Sequence, residues 1–349
     1  MPTDARAERR LSDLSRPNAN TEFAPLSAGV APGRWWDPER TAQRLLHTTP
    51  NQMSTPFRGI YPAMTTPFGE YEGIDHEQLA ADARRLEAAG VAGLVPVGST
   101  GESATLTHDE HAEVVETVVD AVDIPVVAGA GSNATREALS LAEDAAEAGA
   151  DALLLISPYY NKPEAAGFRE HYRTLADAVD LPQILYNVPS RTGRNIPVDV
   201  VADLAQHPNI QGYKAASGDL GRVSEVVERT RDEVFSVLSG DDGLTLPICA
   251  AGGTGGISVT ANIEPERVSA LAEAANAGDF ERAREIHFEL EPLNCALFAE
   301  TNPIPVKEAM HIRDGASPIV RSPLTRLSEE PRERLVEVLE ELAATPLEA

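Results

Sequence analysis

The chain is predicted to fold as an α/β protein, a (β/α)8 TIM barrel with a C-terminal helical extension, and three observations predict it. From about residue 57 onward, short apolar runs of strand length alternate with longer amphipathic patterns. Eight such pairs follow one another at even spacing, the number that closes a barrel; a doubly wound open sheet would not use so many regular units. The residues that end the runs are polar, which suits a fold whose site lies at the C-terminal edge of its strands.

The strands are read at 60–65, 93–97, 125–130, 152–157, 183–188, 211–215, 235–239 and 256–259. Helical patterns lie between them at 76–89, 108–122, 135–148, 165–178, 198–206 and 219–231, several stopped by glycine or by a proline-containing turn. Four more helices are expected at 264–277, 280–296, 303–312 and 329–344. A barrel needs only the first, so the reading is residues 57–276 as barrel and 277–349 as helical extension.

Residues 1–56 stand apart as a tail expected to be disordered, mixed in composition and without a period, although Arg40 to His47 has a helical look and Trp35-Trp36 offers a docking pair. Six acidic and seven basic residues precede Met53, so the whole excess of 55 acidic over 29 basic residues belongs to the body. A net charge of -26 argues against nucleic acid and anionic membranes as partners. No apolar run reaches the ~18 residues of a membrane span and no secretory leader is seen, so a cytoplasmic location is expected. Cys249 and Cys295 are too few for a disulfide framework or a thiolate metal site and are read as small buried hydrophobes. Only three lysines occur, at 162, 214 and 307, the other basic residues being arginine. This acidic, lysine-poor composition resembles that of proteins from salt-accumulating organisms.

That scarcity makes Lys214 informative. Tyr186 and Lys214 end two strands of one strand–helix–strand unit, so both emerge at the same edge of the sheet. An amine on an apolar strand is driven toward its uncharged form, the form that attacks carbonyls, and arginine cannot replace it in an imine. The other strand ends supply Ser99-Thr100, Tyr159-Tyr160, Arg191 and Gly240-Asp241-Asp242, with no histidine among them. Hydroxyls, one amine and one guanidinium suit Schiff-base chemistry on a keto acid better than metal or hydride chemistry. Asp241-Asp242 is read as a cap for the next helix, Lys307 as a structural helix residue and Lys162 as a solvated loop charge. The turn Gly129-Ala130-Gly131-Ser132-Asn133 imitates a dinucleotide-binding loop, but the acid that should end the next strand is absent there.

The motifs Val97-Gly98-Ser99-Thr100-Gly101-Glu102, Pro158 through Pro163, Tyr186 through Gly193, Lys214, Ser239 through Asp242 and Asn302 through Lys307 occur in an order that resembles the dihydrodipicolinate synthase/N-acetylneuraminate lyase family of class I aldolases, above all its synthase branch. The resemblance implies Lys214 as the Schiff-base residue for pyruvate, with Tyr186, Ser99 and Tyr160 as a hydroxyl relay, Tyr160 reaching in from a neighbouring subunit of a homotetramer. It implies Ser99-Thr100 at the pyruvate carboxylate, Arg191 at the carboxylate of L-aspartate 4-semialdehyde, and main-chain contacts from Gly240 and Ile257. No metal and no organic cofactor are implied. Ser103, Ala104, His108, His111, Asn133, Glu137 and Tyr159 match the site where lysine inhibits many members; the plainer reading of the two histidines is a helix-start cap and a solvated face. Ser99 stands where the synthases usually carry threonine, and Ala215 where many members carry glutamate. An aldolase for 2-keto-3-deoxy sugar acids therefore remains an alternative, as does a non-catalytic ligand-binding barrel.

Overall fold

The computed structural model describes residues 55–345 and 347. The tail reading, with Trp35, Trp36 and the 40–47 helix, lies outside the described residues except at its last two positions. Seven strands, all parallel, form one curled sheet: β1 (Gly59–Pro62), β2 (Val127–Gly129), β3 (Ala152–Ile156), β4 (Gln183–Asn187), β5 (Ile210–Ala215), β6 (Ser236–Ser239) and β7 (Gly255–Ser258). Their order is β1-β7-β6-β5-β4-β3-β2.

The expected strand at 93–97 fills the gap between β1 and β2 by two single bridges, Ala63 with Val95 and Leu94 with Val126. Val95 N donates to Pro62 O at 2.9 Å and Val127 N to Leu94 O at 2.8 Å, which closes the ring. A longer ladder does not form because Pro96 has no N–H and Val97 turns to a φ of 48°. Gly93 lets the neighbours come close, since a Cβ there would meet Pro125 O at 2.6 Å.

Around the ring run α1 (His76–Ala88), α2 (His108–Ala121), α3 (Thr135–Glu147), α4 (Ala165–Ala178), α5 (Val198–Leu204), α6 (Leu220–Thr230), α7 (Thr245–Ala250) and α8 (Pro265–Ala277). Their starts are fixed by side chains: Asp75 accepts from Gln78 N at α1, and Thr107 with Glu110 forms a reciprocal cap at α2. The strands alternate between two cores. Leu153, Leu155, Leu185 and Tyr213 pack outward against the helices, while Tyr61, Val95, Val127, Leu154, Ile184 and Tyr186 fill the interior with Leu238 and Ile257.

Gly278, at a φ of 82°, ends α8 and lets the chain turn into α9 (Phe280–Ala296), followed by α10 (Ile304–Asp314) and α11 (Glu329–Ala343). These last three share a core of their own built on Leu293, Leu297, Val306, Met310, Leu335 and Val338. Buried Glu308 is held there by Arg326 at 2.7 Å and Arg332 at 2.8 Å. Cys249 is buried as expected, but Cys295 is exposed. Leu293, Asn294 and Ala296 occupy the buried face of α9, which turns the thiol of Cys295 outward toward Glu291.

Candidate active site

The pairing of β4 with β5 sets Tyr186 directly opposite Lys214. Their neighbours Leu185, Tyr213 and Ala215 belong to the outer core, so strand alternation sends both functional side chains into the barrel. Lys214 is only 6% exposed, and its Nζ lies 4.3 Å from the centroid of the Tyr186 ring. Burial lowers the lysine pKa to about 7; the carboxylate of Asp242 opposes that shift and the guanidinium of Arg191 adds to it. Room for the amine is left by Gly240, where a Cβ would fall 2.9 Å from Lys214 Cε.

Ser99 and Thr100 lie on the loop after the strand segment at 93–97. The Ser99 hydroxyl is hydrogen-bonded to that of Tyr186, and this bond, with the Arg191 charge, partly offsets the rise that burial imposes on the tyrosine pKa. Thr100 Oγ1 accepts from Asn302 Nδ2 at 2.9 Å, and Arg191 Nη2 donates to the Asn302 carbonyl at 2.9 Å. The loop is anchored from beneath. Thr66 donates to Gly101 O at 2.7 Å, and Glu102, at a φ of 55°, sends one carboxylate oxygen to the ammonium of Lys307 and the other to Arg321 N at 2.9 Å. Lys307 is thus the structural residue expected of it.

Ser99, Thr100, Tyr186, Arg191, Lys214 and Gly240 line one cavity of about 840 Å³. Ile257 is buried in the barrel interior, on β7. Tyr160 is not brought to this cavity within one chain: it is 87% exposed, on a loop where its φ is 64°.

A second cavity, about 430 Å³, opens on the other side of Ser99, Tyr186 and Arg191. Six of the seven residues matched to the lysine site line it, namely Ser103, Ala104, His108, His111, Glu137 and Tyr159. Asn133 stands beside it, its carbonyl accepting from Asn161 at 2.7 Å. Glu137 accepts from the Ser132 hydroxyl and lies 3.3 Å from His108 Nε2; the serine contact does most to hold its pKa low. His111 Nε2 donates to Gly129 O at 2.6 Å, and burial keeps this ring toward its neutral form. Thr107 caps α2, so the plainer reading of His108 as the cap does not hold.

Two residues of the main site escape sequence reasoning. Asp242 is not a helix cap: it accepts from the Ser258 hydroxyl at 2.5 Å, Val259 N at 2.9 Å and Thr260 N at 3.1 Å. It ties the end of β6 to the end of β7 and is the carboxylate whose field reaches Lys214. The sequence marks it as a strand-end motif residue but hides its role, because its partners lie at the end of the next strand. Asn302 is visible as a motif residue, but only folding brings it between Thr100 and Arg191. Among the described residues, no group of acids, histidines and cysteines is arranged to hold a metal ion, and no helix is long and apolar enough to cross a membrane.

A model of the Dihydrodipicolinate synthetase family matches residues 56–342. A 4-hydroxy-tetrahydrodipicolinate synthase of Haloarcula marismortui is 67% identical over 293 residues, covering 84% of this chain and 96% of its own length. That of Natronomonas pharaonis is 68% identical over 287 residues, covering 82% and 98%. Among solved structures, the chloride-inhibited dihydrodipicolinate synthase of Acinetobacter baumannii complexed with pyruvate superposes with a TM-score of 0.80 at 40% identity, covering 82% of this chain and 99% of its own. The enzyme of Cyanidioschyzon merolae with lysine bound gives 0.80 at 35% identity, covering 83% and 99%. The chain belongs to the dihydrodipicolinate synthetase family, lyases of the class I aldolase type.

Proposed function

We propose that this chain condenses pyruvate with L-aspartate 4-semialdehyde, the reaction of a 4-hydroxy-tetrahydrodipicolinate synthase in lysine and diaminopimelate biosynthesis. The observation that carries the reading is the amine of Lys214, buried against Tyr186 with a pKa near 7, beside a cavity lined with hydroxyls and one guanidinium. At neutral pH a large share of that amine is unprotonated and nucleophilic.

Lys214 attacks the keto carbon of pyruvate, whose carboxylate is held at Ser99 and Thr100. The carbinolamine oxygen takes a proton from Tyr186 and leaves as water, giving the imine. The Tyr186–Ser99 hydrogen bond supplies the path by which that proton returns. Loss of a methyl proton gives the enamine, whose carbon adds to the aldehyde of the second substrate while Arg191 holds that substrate's carboxylate. The amine of the added substrate then displaces Lys214 from the imine carbon and closes the ring. Gly240 leaves the space the adduct needs.

Exposed Tyr160 completes the relay of a neighbouring chain in a homotetramer, and the second cavity takes lysine as an inhibitor. The acidic, lysine-poor composition fits a salt-rich cytoplasm, as do relatives from Haloarcula and Natronomonas. Borohydride reduction in the presence of pyruvate should add a pyruvate-derived mass to Lys214, and absence of the adduct ends the imine reading. Turnover of L-aspartate 4-semialdehyde should exceed that of 2-keto-3-deoxygluconate; the reverse preference would assign the chain to the sugar-acid aldolases.

A further inference from the structure

Asn302 is 6% exposed, lines both cavities, and reaches across the chain to a residue 202 positions away. Its Nδ2 donates to Thr100 Oγ1 at 2.9 Å, and its main-chain carbonyl accepts from Arg191 at 2.9 Å. Its Oδ1 is buried with no hydrogen-bond partner among the described residues. The opposite placement of the amide would bury an NH2 group with one hydrogen-bond acceptor fewer, and an unpaired donor is the costlier defect.

A threonine hydroxyl has one hydrogen. Because Thr100 Oγ1 already receives a hydrogen from Asn302, its own must point elsewhere, and Thr100 lines the cavity that also holds Lys214. We propose that Asn302 is a positioning residue that sets the rotor of the Thr100 hydroxyl, so that its hydrogen is aimed at the keto acid's carboxylate before the substrate arrives. The idea rests on the proposed placement of that carboxylate at Thr100, and it adds the group that orders the contact. The main-chain contact to Arg191 does not depend on the side chain at 302, so the binding of the second substrate is left out of the effect.

The test reads the first half-reaction alone, as the pyruvate concentration that half-saturates borohydride trapping on Lys214, followed by intact mass. Trapping must first be seen in the unaltered enzyme; its absence there removes the imine reading and is a different result from the ones that follow. Asn302→Ala releases the rotor and should raise the half-saturating concentration about tenfold. Asn302→Asp turns the amide into an acceptor that draws the Thr100 hydrogen to itself, and the rise should be on the order of a hundredfold. It should shrink at lower pH as the introduced carboxyl is protonated and donates again. In a Thr100→Val background the cost of Asn302→Ala should vanish, since no rotor remains to be set. The KM for L-aspartate 4-semialdehyde at saturating pyruvate should change less than twofold. An Asn302→Asp variant that traps pyruvate like the unaltered enzyme, or an Asn302→Ala cost that persists undiminished beside Thr100→Val, would overturn the assignment.

Discussion

Lys214 and Lys307 are the same side chain in nearly the same surroundings. One is 6% and the other 1% exposed, and each holds its Nζ just over 4 Å from an aromatic ring, Tyr186 for the first and Phe68 for the second. Burial lowers the pKa of both. They differ in partners. The ammonium of Lys307 meets the carboxylate of Glu102 directly and donates to Ile319 O at 2.8 Å, and the charge of Glu102 opposes the effect of burial. Among the described residues no carboxylate comes within ion-pair distance of Lys214, and Asp242 acts on it only through its field. A buried lysine with a bonded carboxylate is a tie; one without it is a nucleophile. Arg321 strengthens the tie by stacking 4.4 Å from the same Phe68 ring and gripping Glu110 with both ends of its guanidinium.

The comparison breaks most sharply on substitution by methionine. Lys214→Met should lower turnover by on the order of 10⁴-fold or more and abolish pyruvate trapping. Thermal or urea unfolding at pH 7 should meanwhile show no loss of stability, because an unpaired buried amine contributes none. Activity in that variant within tenfold of the original would remove Lys214 from the mechanism.

Lys307→Met should do the reverse. It leaves Glu102 buried without its partner and should cost about 3–5 kcal/mol in unfolding free energy. Adding Glu102→Gln removes the stranded charge while keeping an acceptor for Arg321 N, and should restore most of the loss. A single variant as stable as the original would show that the pair is not a tie.

The two lysines should also separate with pH. Lys214 has a folded pKa of about 7 against an ordinary 10.5, so between those values the unfolded chain binds a proton that the folded chain does not. Its contribution to stability therefore rises as pH climbs from about 7 toward 10.5 and is flat below. Below that range kcat/KM should fall about tenfold per unit under pH 7, as the amine takes up its proton. Stability profiles of the original and Lys214→Met that run parallel from pH 7 to 10 would contradict the low amine pKa.

The smallest effect belongs to the edge of the tie. Arg321→Lys loses the two-point grip on Glu110 and should cost up to about 1 kcal/mol. The hydrogen bond from Arg321 is the largest of the effects that hold the Glu110 pKa at about 2. The stability it contributes is present above the ordinary carboxyl range and is lost as pH falls toward 2, so the variant should show a shallower loss between pH 4.5 and 2. An unchanged acid limb would place the stabilisation elsewhere.

Much of this site is legible before folding. The alternation of apolar runs and amphipathic helices locates the strands, because each element's burial is written in its own period. One lysine ending one strand, beside a tyrosine ending the neighbouring strand, marks the reactive centre, since parallel strands bring their ends to one edge. The charge excess and the near absence of lysine are likewise properties of composition alone.

What only the tertiary structure decided concerns contacts between segments far apart in the chain. The strand segment at 93–97 pairs by single bridges because its neighbours on both sides, and Pro96 within it, limit the ladder. Cys295 faces outward because the packing of α9, and not its own hydrophobicity, chose its side. Asp242 is a strand-to-strand tie because the end of β7 offers it three donors. Asn302 reaches Thr100 because the C-terminal helices return over the mouth of the barrel. A period in the sequence records which face of an element is buried; it carries no record of which distant side chain will be waiting there.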